Sequence, residues 1–461
     1  MNRITLEEIE KATGGRILSG SGSQEILEIC TDSRKAKPGD LFIPIIGEVH
    51  DAHKFIPQVV EKGASAVLVS REEAAEEGIS VILVEDTTRA MQDLAAWYLD
   101  RLNLKKIAVT GSVGKTSTRD MVYFILKEKY VTGTTAGNLN SEIGVPMTIF
   151  TFDDSMEAAV LEVGMDRFGE IHRLVDIIRP DIGIITNVGI SHIENLGSRE
   201  GILKAKMEIV DYFGQENTLV INSSNDMLHQ LGQEGPYNVI RVGTEPSCGY
   251  YVHDIEDRGG EGVSYKLTEG GRTYSIDLAI PGAHNALNSA LAMAACRCFG
   301  VTVEEAKRGL SAMELTGKRL TIKETGKLTV IDDTYNAAPD SMKSAIDTLM
   351  HTEGGRRVAI LGGMNELGAD SRVYHAQVGQ YAAQQQVDLL ITIGEKAFDI
   401  GQGARAIDPG AERTRVLHFD TKEGFYAAQE EILRAGDVVM VKGSRTMEME
   451  LVVDKILKEQ E

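Results

Sequence analysis

The 461-residue chain is 42% hydrophobic and 25% charged with a formal net charge of −21, a globular composition with length for roughly three domains. The acidic surplus disfavours nucleic acid or an anionic membrane as the main partner, while local lysines and arginines leave room for an anionic substrate. The opening MNRITLEEIEKATGG is charged and helix-like rather than a signal peptide, and no apolar run is long enough for a bilayer, so a cytoplasmic protein is expected.

The first hundred residues alternate short β-type runs (65–69 and 81–84) with charged helical segments and end in a helix near 94–102. An apolar strand at 106–110, a glycine-rich turn and a helix at 115–127 follow. Two more apolar strands come at 158–163 and 182–187. This alternation predicts a mostly parallel sheet. From 218 to 280 short strands are punctuated by Gly259-Gly260 and Gly270-Gly271, which predicts an antiparallel extension. An alanine-rich helix is expected at 285–299 and a domain boundary near 315–319. The βα rhythm then resumes, with strands at 329–332, 358–361, 389–393 and 438–442 and helices at 341–351, 373–385 and 424–434. Cys30, Cys248, Cys296 and Cys298 show no zinc or CxxC spacing, which fits a reducing compartment. Cys296 and Cys298 lie in a small apolar stretch and are expected to be inert core thiols.

The strongest motif is Thr110-Gly111-Ser112-Val113-Gly114-Lys115-Thr116-Ser117. It sits between a strand and a helix, the context a phosphate loop requires. Gly111 and Gly114 let backbone approach an anion, and the helix start offers free N–H groups and partial positive charge. Lys115 can reach terminal phosphates, and the Thr116 hydroxyl can ligate Mg²⁺. Position 109 is Val, where the general spacing has Gly. The bland alternative is a glycine turn beside a chance Lys-Thr.

This loop resembles that of the Mur ligases and the related folylpolyglutamate synthases, and further matches run in order along the chain. Thr31-Asp32-Ser33-Arg34, Gly39-Asp40-Leu41-Phe42 and 51–55 resemble the family's nucleotide-sugar domain. Gly137-Asn138-Leu139-Asn140, Asn187-Val188-Gly189 with His192, and Pro281-Gly282 before His284, Asn285 and Asn288 match the central domain. Asp332-Asp333-x-Tyr335-Asn336, Asn365-Glu366-Leu367-Gly368 and 441–445 match the last. The implied fold is α/β with three domains. A central P-loop parallel-sheet ATPase domain (103–314) is flanked by an α/β UDP-sugar-binding domain (1–102) and a C-terminal Rossmann-like domain (315–461).

The Asp-Asp-x-Tyr-Asn and Glu-Leu-Gly elements resemble the branch that joins D-alanyl-D-alanine to UDP-N-acetylmuramoyl-tripeptide in peptidoglycan precursor synthesis. Its reaction would use ATP and Mg²⁺ through an acyl phosphate, in a protein read as a monomer. Catalytic roles are implied for Lys115, Glu162, His192 and Lys206. Thr116, Glu162 and His192 would be metal ligands, together with Lys206 as a carbamate. Lys204 and Lys206 cannot share a helical face, so only one is expected to enter the site. Nucleotide contacts are implied for Gly111, Ser112, Gly114, Lys115, Thr116, Ser117, Asn285, Asn288, Arg319 and Asp333. Substrate contacts are implied for Ser33, Arg34, Asn138, Asn140, Tyr335 and Asn336.

Ala338 stands where Asn is usual, Gly363 for Asp, Ser141 for Asn and Ala52 for Gly. Ala338 and Gly363 fall where the amine component would bind. They keep open a sister ligase that adds another amino acid or dipeptide. A non-catalytic ATP-binding paralogue is a further alternative, opposed by retention of Lys115, Glu162, His192 and Lys206.

Overall fold

The computed structural model describes residues 1–47, 49–232, 235–313 and 320–458. Arg319 and the expected boundary at 315–319 lie outside the described residues. Three large sheets organise the chain.

The first is five-stranded, in the order Arg16–Ser19, Ser80–Leu83, Ala66–Val69, Asp40–Phe42, Glu28–Cys30. Arg16–Ser19 is antiparallel to its neighbour and the rest are parallel. The helix that closes this part runs Thr87–Leu102, starting earlier than the sequence indicates. Its start is set by Asp86, whose carboxylate accepts from the Thr88 and Arg89 amides, and its end by Asn103 in the left-handed conformation, an ordinary cap pair. The helix belongs to two layers at once. Leu94, Tyr98 and Leu99 share one buried cluster with Ile4 and Ile9, and with Val145, Ile149 and Leu174 of the next sheet's helices. The buried Tyr98 hydroxyl donates to the Phe152 carbonyl at 2.7 Å, so the two parts are joined by a shared apolar face.

The second sheet has nine strands. Lys105–Thr110 lies at its switch point, with Ala158–Glu162 and then Thr132–Thr134 on one side and Ile182–Ile185 on the other. Ligands in open α/β sheets bind at the carboxyl end of such a point. The expectation for 218–280 needs correction. Thr218–Asn222 and Asn238–Gly243 continue the parallel sheet, and only Tyr250–Asp257, Val263–Glu269 and Arg272–Leu278 pair antiparallel. Both glycine pairs lie in hairpin connections, Gly270 and Gly271 with φ of +55° and +78° between Val263–Glu269 and Arg272–Leu278. Gly259 and Gly260 begin the short 3-10 turn that connects Tyr250–Asp257 to Val263–Glu269.

The third sheet has six strands in the order Thr321–Glu324, Thr329–Asp332, Val438–Lys442, Arg357–Gly362, Leu389–Ile393, Arg415–Phe419. All are parallel except the first. Its central strands are buried on both faces, as a sheet sandwiched between helices requires. Cys296 is buried, but Cys298 is exposed, so the expectation of a core thiol fails there because Cys298 is the last residue of His284–Cys298 and falls on its exposed side. No described helix is long and apolar enough to cross a membrane.

Candidate active site

The turn after Lys105–Thr110 is built for close approach. Gly111 has φ +153°, and a Cβ there would meet Thr186 Oγ1 at 1.8 Å. Gly114 has φ +83°, and its Cβ would stand 3.1 Å from Asn288 Oδ1. Asn187, at the end of the neighbouring strand, accepts from the Ser112 and Val113 amides at 3.0 and 2.9 Å. Thr186 Oγ1 donates to the Val113 carbonyl at 2.6 Å. The loop is therefore fixed from the adjacent strand before any phosphate arrives. Lys115 folds over it, its Nζ donating to the Gly111 carbonyl at 2.8 Å.

Thr116 opens the following helix, Lys115–Lys127, and its hydroxyl donates to Glu162 Oε2 at 2.7 Å. Glu162 ends the next strand and is 2% exposed. Its other oxygen accepts from Asn140 Nδ2 at 2.7 Å. A hydroxyl, a carboxylate and an amide thus meet at the mouth of the phosphate loop. The hydroxyl and the carboxylate offer the hard oxygen donors that Mg²⁺ takes, and the amide N–H orients the carboxylate.

His192 forms a separate locus. Its backbone is left-handed at φ +64°, and Nδ1 lies 2.6 Å from Glu366 Oε2 and 3.0 Å from Asp166 Oδ1. Among the described residues these three form a group spaced for a cation, and it does not include Glu162. Hydrogen bonding to His192 holds the Glu366 carboxyl below its ordinary range, and Lys115 adds to the same pull. Glu366 comes from the third sheet's unit, so this contact spans the cleft.

Lys206 lies on Arg199–Met207 and is 1% exposed, whereas Lys204 is exposed. The helix thus separates the two lysines into one buried and one exposed. Burial pushes the Lys206 ammonium far below lysine's usual range, and the nearby charge of Lys115 acts in the same direction.

The phosphate loop, Glu162, His192, Asp166 and Glu366 border one cavity of about 1180 Å³, and Lys206 is not on its wall. Its walls include Ser112–Ser117, Asn138, Asn140, Glu162, His192, Asn288, Asp333, Tyr335 and Asn336, with Ile45, Ile46, Gly47 and Thr88 from the first unit. Asp333 is anchored by Lys442 Nζ at 2.6 Å, and the same ammonium donates to the Asn336 carbonyl at 2.8 Å. Asn285 does not border the cavity. It is 1% exposed, donates to the Pro281 carbonyl at 2.7 Å and accepts from Asn288 Nδ2 at 3.1 Å, so it aims its neighbour. Ser33 and Arg34 also stand apart from the cavity wall. Ser33 donates to Gln58 at 3.2 Å, and Arg34 pairs with Asp32 at 2.8 Å. Gly363 points its missing Cβ at Lys396, while Ala338 does line the cavity.

Sequence reasoning missed Asp166 and Glu366 as partners of His192, and the hold of Asn187 on the loop. Asn187 and Glu366 were within recognised motifs, but their contacts depend on chain segments far apart in sequence.

Three family models match the chain in order: "Mur ligase family, catalytic domain" over 25–98, "Mur ligase middle domain" over 109–296 and "Mur ligase, glutamate ligase domain" over 318–445. The UDP-N-acetylmuramoyl-tripeptide–D-alanyl-D-alanine ligase of Bacillus subtilis is 36% identical over 99% of both chains. The chain belongs to the Mur ligase family. The enzyme of the same name from Escherichia coli is 32% identical over 98% of each chain. Among solved structures, MurF from Acinetobacter baumannii superposes with a TM-score of 0.92 at 29% identity, over 99% of each chain. The MurF ligase of Thermotoga maritima in complex with ADP superposes at 0.83 and 27%, over 94% of this chain and 97% of that one.

Proposed function

We propose that this Mur ligase joins D-alanyl-D-alanine to the peptide carboxylate of UDP-N-acetylmuramoyl-tripeptide, consuming ATP and releasing ADP and phosphate. The observation that carries this reading is the Lys115–Thr116 phosphate loop seated against Glu162 in a cavity that all three sheets' units border. Full-length similarity to ligases of that name supports the choice of substrates.

In the first step a carboxylate oxygen of the tripeptide attacks the γ-phosphorus, the bond to the β–γ bridging oxygen breaks, and ADP departs. In the second the amine nitrogen attacks the acyl carbon, phosphate leaves and the nitrogen loses a proton. Lys115 and the amides at the start of the Lys115–Lys127 helix would offset charge on the transferring phosphoryl group. Asn288, beside Gly114, and Asp333 border the nucleotide's end of the cleft, with Asn285 behind Asn288; Arg319 is assigned to the same end by resemblance. Asn138, Asn140, Tyr335 and Asn336 face the reacting substrates, and Ser33 and Arg34 would hold the uridine diphosphate end.

Thr116 and Glu162 would hold one Mg²⁺, which supplies positive charge to the phosphoryl group when bound. Resemblance assigns His192 and Lys206 to a further metal contact, although the carboxylates that meet His192 are Asp166 and Glu366. A buried lysine pressed toward its neutral amine is chemically ready to take up CO₂, and the resulting carbamate would supply an oxygen donor where an ammonium is disfavoured. The His192–Glu366 contact across the cleft gives the third unit a means of closing over the reaction and excluding water.

Domains of 1–102, 103–314 and 315–461, a cytoplasmic location and a monomeric state complete the reading. Ala338, on the cavity wall where resemblance expects asparagine, favours the second reading of a Mur-type ligase with a different amine. Lys115→Ala tests the main one. It should lower ligation at least about a hundredfold through lost phosphoryl stabilisation, and near-normal turnover would defeat the assignment.

A further inference from the structure

We propose that Arg119 is a positioning residue for the phosphoryl-transfer site, acting through Glu162 and the 135–140 segment. The inference rests on the assignment of Thr116 and Glu162 made above. Arg119 lies one turn beyond Thr116 on the phosphate-loop helix, so the two share a face. It is 2% exposed, unusual for an arginine and tolerable only with its donors satisfied.

The guanidinium ties three elements together. Its Nε and Nη2 both donate to Asp120 Oδ1 on its own helix. Its Nη1 donates to the Thr135 carbonyl at 2.6 Å and the Gly137 carbonyl at 3.0 Å. The same nitrogen stands 4.0 Å from Glu162 Oε2, the oxygen that accepts from Thr116.

The segment that Arg119 grips is the one that grips Glu162. Thr135 Oγ1 accepts from the Glu162 amide at 3.0 Å, and Asn140 Nδ2 donates to Glu162 Oε1 at 2.7 Å. Both the backbone and the carboxylate of Glu162 are therefore referred to a stretch of chain whose carbonyls are fixed to the phosphate-loop helix by one planar fork. Lysine cannot reproduce that fork, since it offers a compact charge without the rigid geometry.

The charge balance fits a positioning role. Asp120 takes two of the guanidinium's donors, so Arg119 is largely neutralised by its own neighbour. It can orient Glu162 without cancelling the negative charge that a cation would need.

The test uses Arg119→Gln and Arg119→Lys in the full chain, with Asp120→Asn as a control for loss of the pair alone. Mn²⁺ binding to the ADP-loaded protein, read by electron paramagnetic resonance, is measured beside kcat and the KM values. Arg119→Gln should bind Mn²⁺ about tenfold more weakly, the scale for groups that orient a metal-binding residue from behind. Its kcat should fall while the KM for the uridine nucleotide stays put, and Arg119→Lys should recover part of both losses. A folded Arg119→Gln protein with Mn²⁺ affinity and kcat within about twofold of wild type would overturn the proposal. If that variant does not fold, Arg119→Lys decides. It should show weakened Mn²⁺ binding, and wild-type values would overturn the fork's role. Failure of the underlying reading is distinguishable, because wild-type protein would then bind no Mn²⁺ with ADP and Lys115→Ala would leave turnover unchanged.

Discussion

Replacing Lys206 by arginine separates two opposite roles for one side chain. Lys206 is 1% exposed, and its surroundings disfavour the ammonium first through burial and then through the charge of Lys115. Lysine can answer by shedding its proton and, in this account, by adding CO₂. Arginine cannot, because its guanidinium stays charged across the accessible pH range. The substitution therefore leaves an unpaired cation in a buried site, a fault that costs about 3–5 kcal/mol. It also removes an anion from the proposed metal site. By the scale of a single preorganised electrostatic contact, that loss costs about 3 kcal/mol of transition-state stabilisation, or roughly a hundredfold in kcat.

The assay is steady-state phosphate release with both co-substrates, in CO₂-depleted buffer and after bicarbonate is restored. Wild type should lose activity on depletion and regain it, Lys206→Arg should be nearly inactive in both, and a small carboxylate should restore some turnover to Lys206→Ala. An arginine variant with near-normal kcat, indifferent to bicarbonate, would refute the carbamate. Thermal melting gives a second readout. The unfolded lysine titrates at its ordinary 10.5 and the folded one well below it. Between those limits the unfolded chain binds more protons, so CO₂-free wild type should gain stability as pH rises toward 10.5. Lys206→Met should lack that gain.

Gly111→Ala places a methyl 1.8 Å from Thr186 Oγ1 at φ +153°. ADP affinity measured by calorimetry should fall at least about tenfold, in line with 1–3 kcal/mol of backbone strain, and unchanged affinity would remove the loop from nucleotide binding. Ser33→Ala and Arg34→Ala, both away from the cavity wall, should raise the KM for the uridine nucleotide and spare kcat. An effect on the KM for ATP alone would reverse the proposed division of labour.

Much of the architecture is legible in the chain because its strands are apolar runs bounded by glycine and polar turns. The strands at Thr329–Asp332, Leu389–Ile393 and Val438–Lys442 and the helix Lys115–Lys127 lie where periodicity puts them. Phe398–Ile407 and Arg415–Phe419 escape this reading. The helix holds two glycines, and the strand is an edge with a half-buried pattern. The parallel pairing of Asn238–Gly243 is likewise a tertiary fact, since nothing in its run from an exposed to a buried end marks the direction of its neighbour.

At the site, local motifs reveal the residues of the phosphate loop, which act within one turn. They do not reveal Glu366 against His192 or Arg119 against Thr135 and Gly137, where the chemistry is made by segments that meet only on folding. Asn285 shows the reverse case. Its motif is visible, but its amide is spent on Pro281 and Asn288.

The central claim is that ATP hydrolysis here is harnessed to amide formation between two particular partners. It is tested most directly by phosphate release and product mass with UDP-N-acetylmuramoyl-tripeptides bearing lysine or diaminopimelate, each crossed with a panel of D,D-dipeptides. The account predicts phosphate release only when acceptor and amine are both present, equal in amount to a new UDP-N-acetylmuramoyl-pentapeptide, with D-alanyl-D-alanine the preferred amine. Phosphate release with ATP alone, or no amide product with any pair, would contradict it.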